Sequence, residues 1–76
     1  MNKRDQLIEY ITQDIIAFLV EDRKIDIAEA MKVFYNSEIY EKLLDEDTGL
    51  YLEGAPYVYE ILKDEMEQGH LIQNEY

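Results

Sequence analysis

The chain has 76 residues, 47% of them hydrophobic, and its 18 acidic and seven basic side chains give a formal net charge of −11. This length allows one compact domain over residues 1–76 and leaves little room for a deep substrate cleft. The absence of cysteine excludes disulfides and thiolate metal sites and favours a cytoplasmic setting. The longest apolar run, residues 15–20, is far shorter than the ~20 residues that span a bilayer, so we expect no membrane partner.

The negative charge is concentrated in the second half of the chain. Residues 1–36 hold five basic and seven acidic side chains, a balance of −2, whereas residues 37–76 hold two and eleven, a balance of −9. Such a surface repels phosphate backbones and attracts basic surfaces. We therefore predict no direct binding of DNA or RNA, and a basic protein surface as the partner.

Hydrophobic periodicity predicts four helices and hence an all-α compact bundle. The first helix covers about residues 5–22, where six apolar side chains recur at intervals of three and four and form one stripe. Ile16 and Val20 lie beside this stripe; they either widen the buried face or form a second contact surface, which would support a homodimer. The members of the stripe are Leu7, Ile8, Ile11, Ile15, Phe18 and Leu19.

Capping residues separate the next two helices from their neighbours. Asp26 is the predicted N-cap of a helix over residues 27–36, and Ser37 is the predicted N-cap of a short helix over residues 38–46. Because only the pair Asn36-Ser37 separates these helices, the chain must turn sharply between them. Their predicted core residues are Ile27, Ala30, Met31 and Phe34, then Ile39, Tyr40, Leu43 and Leu44.

An irregular segment near residues 47–55 is predicted to lead into the fourth helix. Its first residues, Asp47-Thr48-Gly49, are typical of a turn. Pro56 is well suited to the first helical position, and Gly69 to the C-terminal cap. The tail 70–76 either packs on the domain or frays. The predicted core residues of this last helix are Tyr57, Val58, Ile61, Leu62 and Met66.

The sequence predicts no enzyme, because no group of residues has the pattern of a catalytic site or a cofactor site. His70 is the only histidine and Ser37 the only serine, and they lie far apart in the chain. A histidine that follows a helix-ending glycine is typical of a cap, and a serine at a helix start is typical of an N-cap. We therefore predict neither an acid–base pair nor a nucleophilic triad.

The segment from Asp45 to Gly49 has the D-x-D-x-G spacing that begins a calcium loop. Such a loop needs glycine at its sixth position and glutamate at its twelfth. Those positions are Leu50 and Pro56 here. We interpret the segment as an acidic turn and predict no metal site.

Tyrosine and acidic residues mark the candidate contact surface. Five of the seven tyrosines lie between residues 35 and 59. Tyr40 and Tyr57 fall on core stripes, whereas Tyr51 and Tyr59 lie nearer the stripe edges. These tyrosines either pack in the core or form a contact patch flanked by acids, since tyrosine is enriched at interfaces. The fourth helix also places acidic residues opposite its apolar stripe, where they form either a solvated face or a contact with a basic protein. The predicted contact residues are Tyr51, Tyr59, Glu60, Asp64 and Glu67.

Four short runs in the middle of the chain form a recognisable pattern. They are Phe34-Tyr35-Asn36-Ser37, Tyr40-Glu41-Lys42-Leu43, Thr48-Gly49-Leu50-Tyr51 and the stretch from Tyr57 to Glu65. With these runs the chain resembles, over about residues 26–70, a family of short uncharacterised bacterial proteins, some of them encoded near toxin-like genes. The resemblance implies a cytoplasmic accessory protein, such as one half of a toxin–antitoxin pair. It implies no site residues.

The sequence thus predicts a small acidic protein-interaction module, antitoxin-like, that covers a basic surface on a protein partner. The alternative is a structural homo-oligomer without a specific hetero-partner. In that case Ile16 and Val20 form the symmetric contact, and the C-terminal acids serve solubility alone.

Overall fold

A computed structural model of the protein describes residues 3–68. The predictions for Gly69, His70 and the tail 70–76 lie outside the described residues. Within them the chain forms four α-helices and two 3-10 turns and contains no strand, which confirms the predicted all-α bundle of four helices. The elements are α1 (Lys3–Arg23), α2 (Ile27–Tyr35), α3 (Glu38–Leu44), a first 3-10 turn (Glu46–Thr48), a second 3-10 turn (Leu50–Leu52) and α4 (Ala55–Gln68).

Helix α1 is the longest element, and it packs against α2, α4 and the second 3-10 turn. Its predicted stripe is the buried face, with Ile15 and Leu19 fully buried at the centre. The stripe also contains Thr12, whose hydroxyl donates a 2.8 Å hydrogen bond to the Ile8 carbonyl oxygen. This local bond satisfies a polar group that would otherwise be costly to bury.

Helix α2 begins at its predicted cap, because an Asp26 carboxylate oxygen accepts a 2.8 Å hydrogen bond from the Glu29 amide. Ala30 and Phe34 are fully buried. Ile27 and Met31, in contrast, are 62% and 39% exposed, so their prediction as core residues is wrong. The reason is that α1 and α3 cover only the side of this short helix that carries Phe34.

The start of α3 is capped from two directions. The Ser37 hydroxyl oxygen accepts a hydrogen bond from the Tyr40 amide at 3.1 Å, which confirms the predicted N-cap. The Glu65 carboxylate, which belongs to α4, accepts hydrogen bonds from the amides of Glu38 and Ile39 at 3.0 and 3.3 Å. A carboxylate at a helix N-terminus satisfies free amides and interacts favourably with the helix dipole, so Glu65 fastens α4 to α3.

The segment between α3 and α4, predicted as short and irregular, consists mainly of the two 3-10 turns. Gly49 joins them with a φ of 64°, and Gly54 precedes α4 with a φ of 89°. Both values lie where a side chain would be strained, which accounts for glycine at each position. Leu50 turns inward and is buried, whereas Leu44, predicted as core at the end of α3, is 43% exposed.

Helix α4 begins at Ala55, one residue before the predicted start at Pro56. Val58 and Leu62 are fully buried, as the periodicity predicts. The burial of the two tyrosines of this helix is the reverse of the prediction: Tyr57, predicted as core, is 51% exposed, whereas Tyr59 is 8% exposed. The cause is that α1 packs on the side of α4 that carries Tyr59. No helix within residues 3–68 is long and apolar enough to cross a membrane.

Candidate partner-binding site

A surface pocket of about 260 Å³ lies between the last turns of α1 and the first turns of α4. Half of its lining is aromatic or apolar and the other half is acidic. Because α1 and α4 pack against each other here, residues that lie 34 to 42 positions apart in the sequence meet at one site. The lining residues are Phe18, Glu21, Asp22, Pro56, Tyr59 and Glu60.

Two aromatic rings form the wall of this pocket. The ring centroids of Phe18 and Tyr59 lie 5.1 Å apart, with a tilt of 52° between the ring planes. This geometry falls within the range that aromatic pairs prefer. The contact joins α1 to α4 and gives the pocket a rigid apolar side.

The Tyr59 hydroxyl donates a 2.7 Å hydrogen bond to an Asp22 carboxylate oxygen. The pKa of the Tyr59 phenol is raised to about 12, chiefly by burial. The hydrogen bond to Asp22 and the negative charge of Asp22 also raise this pKa, whereas Arg23 lowers it. The phenol therefore keeps its proton at neutral pH and remains a donor. One consequence is that the Asp22 carboxylate is held at the edge of the pocket.

A lysine of the same chain contacts two of the pocket-lining residues without belonging to the lining itself. The Lys63 ammonium nitrogen lies 5.4 Å from the centroid of the Tyr59 ring and 3.7 Å from a Glu60 carboxylate oxygen. A cation within about 6 Å of an aromatic face is attracted by the ring quadrupole. The Tyr59 ring and the Glu60 carboxylate can therefore act together on one positive charge.

The predicted contact residues occupy different environments. Glu60, Asp64 and Glu67 are exposed at intervals of four and three residues, so they form one acidic row along α4. Tyr59, predicted nearer the edge of the apolar stripe, is buried and forms part of the pocket wall. Tyr51 is half-buried in the second 3-10 turn and is not among the pocket-lining residues. Contact of these residues with a partner stays a prediction.

The predicted self-association residues, Ile16 and Val20, are half-buried and pack against the core. Of the two interpretations of this pair, the structure supports the widening of the buried face. A role in self-association stays a prediction.

A different row of apolar side chains is exposed on α2. Ile27, Met31 and Tyr35 follow one another at intervals of four and are 62%, 39% and 42% exposed. Residues 23–35 around this row hold three cations against two acids, a balance of +1, in a chain of net charge −11. The outer face of α2 is therefore apolar in a locally basic setting, unlike the acidic outer face of α4.

The acidic turn after α3 is built from its own hydrogen bonds. An Asp45 carboxylate oxygen accepts a 3.0 Å bond from the Asp47 amide, and the Thr48 hydroxyl donates to the Lys42 carbonyl oxygen at 2.7 Å. The interpretation of this segment as a turn is confirmed. Among residues 3–68, no three or more His, Asp or Glu side chains are grouped so that they could hold a metal ion.

Sequence reasoning missed the contribution of α1 to the pocket. It placed the candidate contact residues in the second half of the chain, where the negative charge is concentrated. Phe18 and Asp22 lie four residues apart and therefore share one helix face, a signal that the sequence does contain. That this face meets Tyr59 is decided only by the packing of α1 against α4.

Comparisons of the chain with protein-family models, with curated proteins and with solved structures find no match. The resemblance of residues 26–70 to short bacterial proteins therefore stays a prediction.

Proposed function

We propose that the protein is a small acidic interaction module that binds a basic surface of a protein partner. The contact centres on the corner where α1 meets α4. The observation that carries the proposal is the aromatic pocket bordered by three carboxylates, those of Glu21, Asp22 and Glu60. Such a site combines apolar contact area with negative charge, which suits the long side chains of a basic protein.

The acidic row on α4 extends this surface. Asp64 and Glu67 continue from Glu60 along the same side of the helix. Like charges on one face repel each other and lower the stability of the fold. A basic partner removes this repulsion on binding and is steered towards the site by the field, so electrostatics favours association.

The sequence resemblance favours one form of this proposal. In this form the module is antitoxin-like and covers the basic surface of a toxin-like protein. Some members of the family that it resembles are encoded near toxin-like genes. This role needs no catalytic group in the module, since covering the partner is sufficient. Co-expression of the neighbouring gene, with and without this chain, tests whether the module relieves growth arrest.

The partner itself is tested by affinity purification of the full chain from the organism that encodes it. We expect one stoichiometric protein with a positive net charge, released by raising the salt concentration from about 50 to 200 mM because screening weakens the contact. A purification that recovers no stoichiometric partner, or a partner released only by denaturant, contradicts the proposal.

Self-association is a second candidate function, favoured by the apolar row of Ile27, Met31 and Tyr35 on α2. The local charge balance of +1 makes this a part of the surface where two copies of an acidic chain meet with little repulsion. Sedimentation of the full chain over a range of concentrations tests it. We expect dimers that Met31→Glu abolishes and Leu52→Glu leaves intact, because Leu52 is exposed away from this row. A strict monomer excludes this candidate.

A further inference from the structure

We infer that the pocket between α1 and α4 accepts one arginine side chain of the basic partner, with its guanidinium group against the Tyr59 ring and among the pocket carboxylates. The inference rests on the proposed function and specifies its central contact. It depends on the size of the pocket and on the chemistry of its walls. It also depends on the contact of Lys63 with Tyr59 and Glu60, in which a cation already lies against these two groups.

The size of the pocket limits the occupant. Cavities for drug-sized ligands span about 300–1,000 Å³. This pocket, at about 260 Å³, falls below that range. It suits one long side chain supplied by a protein surface, the kind of anchor that dominates the binding energy of many interfaces.

The chemistry of the walls selects a planar cation. Phe18 and Tyr59 offer aromatic surface, and Glu21, Asp22 and Glu60 offer carboxylate oxygens from two helices. A guanidinium group can stack on a ring and at the same time donate hydrogen bonds in its plane to carboxylates, whereas an ammonium group acts as a point charge. Arginine therefore uses both halves of the lining.

The Lys63 contact shows that two of the lining groups, the Tyr59 ring and the Glu60 carboxylate, already attract a cation. Its ammonium lies against the Tyr59 ring and beside Glu60. An arginine from a partner competes with this internal cation for the same two groups. Removing the Lys63 charge is therefore expected to strengthen binding.

The site is also held in place before binding. Tyr59 is buried, and its hydroxyl fixes the Asp22 carboxylate at 2.7 Å. A carboxylate can accept several hydrogen bonds, so this one retains capacity for a ligand. Because the wall and one acid are already ordered, binding costs less conformational entropy than at a flexible surface.

The test uses the full ¹⁵N-labelled chain and two five-residue probes, Gly-Ser-Arg-Ser-Gly with blocked ends and the same peptide with citrulline in place of arginine. Citrulline keeps the shape of arginine and lacks its charge. Amide shifts of Phe18, Asp22, Tyr59 and Glu60 are followed in a titration. We expect saturable shifts at these positions with the arginine peptide, with a dissociation constant on the order of 1 mM, and binding at least fivefold weaker with citrulline.

Two pairs of variants separate the pocket from the general negative field. Glu60→Gln removes a pocket carboxylate and is expected to weaken arginine-peptide binding at least threefold. Asp64→Asn removes the same charge one turn further along α4 and is expected to change the affinity for the arginine peptide less than twofold. Lys63→Met removes the internal competitor and is expected to strengthen binding two- to fivefold. Lys42→Met makes the same change in net charge on α3 and is expected to leave binding nearly unchanged.

The inference is overturned if the shifts spread evenly over the acidic surface or if the citrulline peptide binds as well as the arginine peptide. It is also overturned if each variant binds the arginine peptide with the same affinity as its control. A lysine peptide that binds more tightly than the arginine peptide also overturns it. If any of these results is obtained while a natural basic partner still binds the chain and is released by salt, the inference fails and the proposed function is retained. Failure to recover any such partner, together with saturable arginine binding, refutes the proposed function alone.

Discussion

Helices α2 and α4 are both amphipathic, yet they present opposite surfaces to the outside. The outer side of α2 exposes Ile27, Met31 and Tyr35 within a segment whose charge balance is +1. The outer side of α4 exposes the acidic row of Glu60, Asp64 and Glu67, and its one buried tyrosine forms the wall of a pocket. The difference shows that one small core can leave two chemically distinct faces, one apolar within a locally basic segment and the other acidic.

The largest effect is expected from the buried side of α2. Phe34 is fully buried, whereas Met31 on the same helix is 39% exposed. Phe34→Ala is expected to lower the free energy of unfolding by about 3–5 kcal/mol, a large part of the stability of a small domain. Met31→Ala is expected to lower it by less than about 1 kcal/mol. Urea denaturation of both variants measures the difference, and equal losses contradict the assignment of the two sides.

The next effect distinguishes the two tyrosines of α4 at high pH. The unfolded pKa of Tyr59 is near 10.0 and its folded pKa is about 12. Between these values the unfolded chain loses the phenol proton and the folded chain keeps it, so stability falls as the pH rises. The Tyr59 contribution is fully present below pH 10 and lost by pH 12, a loss of about 2 kcal/mol.

Tyr59→Phe is therefore expected to lose stability less steeply than the natural chain between pH 10 and 12. Tyr57→Phe is the control, because Tyr57 is half exposed. Urea denaturation at several pH values from 9 to 12 measures the three slopes. A decline of the Tyr59→Phe variant that runs parallel to that of the natural chain would show that the folded pKa of Tyr59 is not raised.

A smaller effect distinguishes two neighbouring acids of α4. Glu65 accepts hydrogen bonds from two amides at the start of α3, whereas Asp64 belongs to the exposed acidic row. Glu65→Ala is expected to destabilise the protein by about 1 kcal/mol, and Asp64→Ala by less than about 0.5 kcal/mol. Thermal unfolding of both variants provides the measurement. If the two losses are equal, Glu65 does not act as a cap.

The smallest effect concerns the junction that leads into α2. Lys24 ends α1 with a φ of 58°, a conformation that costs a side-chain-bearing residue free energy. Lys24→Gly is expected to stabilise the protein by about 0.5 kcal/mol. Lys24→Ala removes the same charge and keeps the β-carbon, so it should give no such gain. A stabilisation by both substitutions would assign the effect to charge instead.

The elements that the sequence predicts well are those set by local interactions. The apolar periodicity of residues 7–19 gives α1, and the side chains of Asp26 and Ser37 form their caps with amides three residues away. These interactions depend on spacing within one helix. They are therefore readable without knowledge of the neighbours.

The features that the sequence does not predict depend on which neighbour covers each helix. Periodicity places Ile27 and Phe34 on one apolar side, but only contact with α1 and α3 decides that Phe34 is buried and Ile27 exposed. In the same way, the pocket arises because Asp22 and Tyr59 meet from distant parts of the chain. Charge patterning predicted the acidic row of α4, since that row lies on one helix.

The most direct test of the proposed role of the acidic face of α4 compares how two variants of equal net charge bind the basic protein recovered by affinity purification, measured by isothermal titration calorimetry. One variant removes three charges from α4 and carries Glu60→Gln, Asp64→Asn and Glu67→Gln. The other removes three charges elsewhere and carries Glu9→Gln, Glu29→Gln and Glu53→Gln. Each variant changes the formal net charge from −11 to −8. We predict that the dissociation constant rises at least tenfold for the first and less than threefold for the second. Equal changes in the two would show that net charge alone, and not this face, governs binding.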